Sequence, residues 1–257
     1  MNRKTALITG GATGIGRRTA IELAEQGISL IINYRNSEKE AQELTSFLSN
    51  KYGNENYIIQ GDISQQVDCM KVIRDANAIS QTIDIVIHNA GPYVHERKRM
   101  TDYTFEEWHS LINGNLNAVF YLCKAFIPKM REQKWGRIIT LGFDRVESAP
   151  GWMYRSAFAA AKTGLASLTR TIALEEVGNG ITANMVCPGD ITGDWKEGDI
   201  EAASHVLDEH SPIGRPGTGE DVARVISFLI DEKSSFITGS VIPVTGGKDV
   251  LGKIYKI

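Results

Sequence analysis

Short apolar runs alternate along this chain with longer stretches whose apolar residues recur every three or four positions. The runs at residues 4–9, 29–34, 56–60, 83–88, 137–141, 182–187 and 240–244 have strand length. The stretches at 16–25, 38–49, 67–80, 105–131, 156–177 and 220–230 read as helices with an apolar face. Strands and helices alternating over short connections predict a seven-stranded parallel sheet, doubly wound in three α/β/α layers. Its crossovers are expected to be right-handed. No repeat, low-complexity segment or Pro/Gly/Ser linker divides residues 1–257, so one domain is expected.

The least regular stretch is 189–217. It gathers Asp190, Asp194, Glu197, Asp199 and Glu201 around Trp195. Long loops in compact domains often cover a site, so a lid is one reading, as a mobile loop or a pair of short helices. A solvated acidic surface loop is the other.

Composition narrows the function classes. Apolar residues make up 42% and charged residues 23%, as in an ordinary globular chain. A net charge of -3 argues against nucleic acid or an anionic membrane as partner. Cys69, Cys123 and Cys187 are sparse and form no CxxC, which points to reduced thiols in a cytoplasmic protein. The apolar run Ala6-Leu7-Ile8 is too short for a signal-peptide core, and no run approaches membrane length. The five histidines show no ligand spacing with Cys or carboxylates, so no metal is expected.

The strongest chemical signal is Thr9-Gly10-Gly11-Ala12-Thr13-Gly14-Ile15-Gly16, between the first strand and the first helix. Glycines there permit a tight turn, a close approach of backbone to a pyrophosphate, and close helix–strand packing. The first amides of the helix then face the phosphates. The turn predicts a Rossmann-type dinucleotide site. At the end of the second strand stands Asn33-Tyr34-Arg35-Asn36-Ser37, with no carboxylate before Glu38. An Arg in place of an acid suits a ribose 2′-phosphate, with help from Arg17, so NADP(H) is favoured over NAD(H).

Further markers follow in register. They are Gly61-Asp62-Ile63, Asn89-Ala90-Gly91, Asn115, Lys162, Pro188-Gly189 with Ile191 and Thr192 just beyond, Pro212-Ile213-Gly214-Arg215 and Val244-Thr245-Gly246-Gly247. Over essentially its whole length the chain resembles the classical short-chain dehydrogenases/reductases, and within them the 3-oxoacyl-[acyl carrier protein] reductases. The segment from Pro150 to Lys162 is similar to a bacterial side branch named as elongation factor P 5-aminopentanone reductase. The resemblance implies hydride transfer from a nicotinamide to a carbonyl, with a Tyr as acid and a Lys four residues later. It also implies a Ser on the carbonyl and an Asn supporting a proton relay. Asn115 and Lys162 match.

The other two positions depart from the pattern. Phe158 stands four residues before Lys162, and Phe143 stands where the Ser follows Gly142. Counting back from Phe158 puts Arg145 at the Ser position instead. A phenyl ring has no proton to give. Three donors are open: Tyr154, if the helix extends far enough for it to share a face with Phe158 and Lys162; Asp144, if a poorly solvated pocket raises its pKa; or water with Lys162, or an ammonium on the substrate itself. Phe143, Asp144, Tyr154, Phe158 and Trp195 are the expected substrate contacts. Asp144 or Glu147 would also suit a cationic amine, as in a 5-aminopentanone group.

Carrier-protein reductases dock an acidic partner on basic residues. The aligned positions here are Lys134 and Asn179, and only one is basic. Reduction of a 3-oxoacyl carrier protein is therefore the alternative to modified elongation factor P. A dinucleotide-binding sensor or assembly subunit without catalysis is the further alternative. Helices 105–131 and 156–177 carry apolar residues on several sides, including Trp108, Phe120, Phe126, Leu165 and Leu168. The resemblance implies subunit contacts there, so a homodimer or homotetramer is expected.

Overall fold

A computed structural model describes residues 3–248, so the ends of the domain expected over 1–257 lie outside the described residues. The strands are β1 (Thr5–Ile8), β2 (Ser29–Tyr34), β3 (Asn56–Gln60), β4 (Ile85–His88), β5 (Gly136–Leu141), β6 (Ile181–Pro188) and β7 (Val241–Val244). They form one sheet in the order β3-β2-β1-β4-β5-β6-β7, and every pairing is parallel. In register, Leu7 sits between Ile31 and Val86. All six residues of β2 are buried, as in a strand covered on both faces.

Helices α1 (Gly14–Glu25), α2 (Glu38–Tyr52) and α3 (Gln66–Ile79) follow the first three strands. Then come α4 (Phe105–Ile112), α5 (Ala118–Gln133), α6 (Ser156–Glu176), the short α7 (Ile200–Ser204) and α8 (Gly219–Ile230). Alternate strand residues feed two cores. Leu7, Ile31, Val86 and Ile138 pack with α3, α5 and α6. Ile8, Ile32, Ile87 and Ile139 pack with α1, α2 and α8. The strand order reverses between β1 and β4, and ligands of open α/β sheets bind beyond the strand ends at such a point.

One expectation about the helices needs correction. Residues 105–131 do not form one helix: α4 ends at Ile112, and a π-helical stretch, Asn113–Asn117, separates it from α5. The cause is the Asn115 side chain, whose amide donates to the Leu111 carbonyl at 3.0 Å and to the Pro92 carbonyl at 2.9 Å. A side chain inserted in the ladder widens the turn. Val119, Phe126, Leu165 and Ile172 belong to the core, whereas Phe120 and Leu174 are exposed.

Candidate active site

The turn after β1 is built by its glycines. Gly10 and Gly14 both have φ of +60°, a conformation that costs a side chain strain. A Cβ at Gly16 would lie 2.3 Å from the Gly10 carbonyl oxygen, so this glycine packs the helix onto the turn. The end of β4 locks the loop from the other side. The Asn89 amide donates to the Thr9 and Gly10 carbonyls, each at 3.0 Å.

A cleft of about 550 Å³ opens above the turn. Gly10, Thr13, Gly14 and Ile15 line it, with Arg35, Asp62, Ile63, Asn89, Ala90 and Gly91. Those expected cofactor contacts therefore share one cavity, while Gly16 stands behind it. Gly189 and Ile191 instead line a neighbouring cleft of about 270 Å³. Pro188 closes β6, and Thr192 precedes the 3₁₀ turn Gly193–Lys196.

Arg35 projects into solvent with its side chain 61% exposed, and its guanidinium pairs with Asp62 at 3.5 Å. The Asp62 carboxylate also accepts from the Ser64 amide and hydroxyl, so it stays anchored if Arg35 swings away. Buried Asn33 ties β2 to both neighbours. Its side-chain oxygen accepts from the Gly10 amide at 3.4 Å, and its amide donates to the Gly61 carbonyl at 3.0 Å. Sequence reasoning passed over Asn33, although it heads the segment read for Arg35.

The irregular stretch at 189–217 holds a 3₁₀ turn, Gly193–Lys196, and the short α7, and it touches the glycine turn. The Gly14 amide donates to a Glu197 carboxylate oxygen at 2.7 Å. The other Glu197 oxygen lies 3.4 Å from Arg17. Thr13, the N-cap of α1, makes no side-chain capping bond, so Glu197 stands where an anion is favoured by the helix dipole. Arg17 also donates to the Glu40 carbonyl of α2 at 3.4 Å, so its guanidinium spans Glu197 and α2. Trp195 is relocated. It packs with the core of α1 and α8, away from Phe143 and Phe158. Glu197→Gln removes the charge and keeps the shape. It is expected to tighten dinucleotide binding about fivefold, roughly 1 kcal/mol, read from the Kd in a fluorescence titration.

Lys162 reaches the site from α6 and is buried, its ammonium 5.7 Å from the centre of the Phe158 ring. Burial lowers its pKa to about 8. His88, at the end of β4, is fully buried beside it. Burial and the nearby Lys162 charge push the imidazole down to about 3, so it stays neutral. Its Nε2 lies 3.1 Å from the Gly114 carbonyl of the π-helical stretch. Burial raises Cys187 to about 12, which keeps it a thiol.

Asn115 is completely buried, and its side-chain oxygen has no hydrogen-bond partner. A Cβ at Gly91 would lie 2.1 Å from that oxygen, so glycine alone lets the loop after β4 pass it. An orphaned acceptor, a glycine cradle and a buried cation in one region fit a dinucleotide. Among the described residues no cluster of His, Cys, Asp or Glu suits a metal ion.

An aromatic layer fills the place where the resemblance implies a Tyr and a Ser. The Phe143 ring lies 5.0 Å from Trp152 and 6.2 Å from Phe158, and Tyr93 meets Phe158 edge-on at 5.0 Å. Asp144 is buried next to Phe143. Tyr154 does not share a helix face with Phe158 and Lys162. Helix α6 begins at Ser156, and Tyr154 lies outside it with φ of +66°. Its carbonyl accepts from the Tyr103 hydroxyl at 3.1 Å and from Arg155 at 2.8 Å.

A family model described as enoyl-(acyl carrier protein) reductase matches residues 10–249. The chain belongs to this family, within the classical short-chain dehydrogenases/reductases, and is an oxidoreductase of the 3-oxoacyl reductase-like kind. It is similar to YtkK of Bacillus subtilis, named as an oxidoreductase, with 50% identity over 96% of this chain and 97% of that one. It is 32% identical to the 3-oxoacyl-[acyl-carrier-protein] reductase FabG of Staphylococcus epidermidis, over 95% of this chain and 98% of that one.

Among solved structures, a Bacillus thuringiensis protein described as a 3-oxoacyl-reductase superposes with a TM-score of 0.90 at 45% identity, covering 97% and 99% of the two chains. A blue fluorescent protein from a metagenomic library, in complex with NADPH, gives 0.81 at 28% identity, covering 95% and 97%.

Proposed function

We propose that this chain reduces a ketone with hydride from NADPH, and that its site is modified for a substrate carrying its own positive charge. The observation that carries the reading is the glycine cleft with Asn115 set against its Gly91 and Pro92, and the buried Lys162 near His88 at the end of β4. The bound dinucleotide supplies the hydride. The turn at 10–16 holds its phosphates, Arg35 its 2′-phosphate, and Asp62 and Ile63 its adenine. Lys162 holds the nicotinamide ribose and keeps a cation beside the carbonyl. An NADPH complex of a similar fold supports this choice of cofactor.

For the substrate, Asp144 and Glu147 place negative charge near Cys187, which suits an ammonium group. The 5-aminopentanone group of modified elongation factor P has that chemistry. The reading of an acidic carrier protein rests on the FabG likeness. Of its two docking positions only Lys134 is basic, and it donates to the other, Asn179, at 3.1 Å. NADPH oxidation with modified elongation factor P, a 3-oxoacyl carrier protein and small ketones separates these readings. Turnover of none of them, with tight NADPH binding, would leave a non-catalytic binder.

Arg35→Ser is expected to weaken NADPH by about 10–30-fold, the loss of one charge-assisted contact. NADH should change less than about threefold. Equal losses for both dinucleotides would refute the 2′-phosphate assignment. A homodimer or homotetramer fits the exposed apolar side chains Phe120, Leu174, Phe228 and Phe236. Among the described residues, no helix is long and apolar enough to cross a membrane.

A further inference from the structure

Tyr93 directly follows Pro92, which lines the dinucleotide cleft and whose carbonyl is held by Asn115. Its ring meets Phe158 edge-on at 5.0 Å, so a phenol-bearing ring packs against the ring that stands where the family pattern has lost one. Its hydroxyl is held by Arg155. Arg155 Nε donates to the Tyr93 oxygen at 2.6 Å, and the guanidinium carbon lies 4.9 Å from the ring centre. The same guanidinium donates to the carbonyls of Glu96 at 2.8 Å, Tyr154 at 2.8 Å and His95 at 3.1 Å. One side chain therefore fastens the loop after β4 to the start of α6 and fixes the phenol between them.

The direction of these bonds matters. A guanidinium can only donate, so the phenol oxygen is its acceptor and the phenol proton must point elsewhere. A cation donating to that oxygen also stabilises the negative charge that gathers there as the proton leaves. Tyr93 is 37% exposed, so water can return the proton afterwards.

We infer that Tyr93 is the acid that protonates the substrate oxygen, with Arg155 as its positioning residue. The inference rests on the ketone-reductase reading. As hydride from the reduced nicotinamide forms the new C–H bond, the carbonyl π pair moves onto oxygen. That oxygen takes the Tyr93 proton, the O–H bond of Tyr93 breaks, and water reprotonates the phenolate. The ketone is reduced to an alcohol and the nicotinamide is oxidised.

The test compares Tyr93→Phe, Arg155→Ala and Arg155→Lys with the natural chain on the best ketone found. Tyr93→Phe is expected to lower kcat about 10²-fold, with the Kd for NADPH and the melting temperature unchanged. Arg155→Ala should lose a similar factor, and Arg155→Lys should recover most of it. Adding Phe158→Tyr to the Tyr93→Phe chain should restore turnover, because a proton and not a packing contact is missing. Turnover of Tyr93→Phe within threefold of the natural chain overturns the assignment alone. Absence of any ketone reduction by the natural chain overturns the underlying reading and this assignment with it.

Discussion

Lys162→Met is expected to lower ketone reduction by about 10²–10³-fold and to raise the melting temperature. Both effects come from the same burial. The ammonium is enclosed in the core around α6, facing the Phe158 ring, with its pKa lowered from 10.5 to about 8. A lysine whose folded pKa is lowered costs stability wherever the folded protein must hold it charged. That cost is full below about pH 8 and fades as pH climbs to the unfolded value of 10.5. Its size is roughly 3 kcal/mol, worth on the order of 5–10 °C for a chain of this length. Thermal melts at pH 7 should therefore favour the methionine chain clearly, and melts near pH 10 should bring the two together. A methionine chain that melts lower at pH 7 would show that Lys162 is held by partners that compensate its burial.

Phe158→Tyr is expected to raise kcat/KM for small neutral ketones by about 10–10²-fold. The new hydroxyl would stand four residues before Lys162, on the same helix face, with the ammonium beside its ring. A neighbouring cation favours the phenolate and so makes the phenol a better acid. The gain should be largest for ketones without an amine, which bring no charge of their own to the site. Steady-state kinetics on matched neutral and cationic ketones checks this. An unchanged rate on both would show that the lost phenol does not limit turnover.

Much of the architecture is legible in local sequence. Runs such as Leu30-Ile31-Ile32 between polar turns are buried on both faces, and that burial leaves no ambiguity about a central parallel strand. The glycine turn, Asn89-Ala90-Gly91 and Arg35 were legible because each is a short segment at a strand end, and strand ends converge in this topology.

The rest depends on contacts between distant segments. Residues 113–117 have helical periodicity, and only the Pro92 carbonyl, brought up by the loop after β4, explains the widened turn. Tyr154 reads as helix by spacing, but its carbonyl is claimed by Tyr103 and Arg155 and its backbone is left-handed. Tyr93 and Arg155 are 62 positions apart, and nothing in either local sequence announces the bond. The one available signal was an aromatic residue just after Asn89-Ala90-Gly91-Pro92.

Glu197 is an internal counter-ion at the glycine turn. Its carboxylate already satisfies the Gly14 amide and faces Arg17, so a cofactor arrives by exchange. A small anion such as free phosphate meets that competitor on equal terms, one charge against another. On the function proposed above, a dinucleotide would displace it with added contacts at Arg35, Asp62 and the loop of Asn89, which share the cleft. Glu197 would then set a threshold of ligand size, and the glycine turn would favour whole dinucleotides over their phosphate fragments.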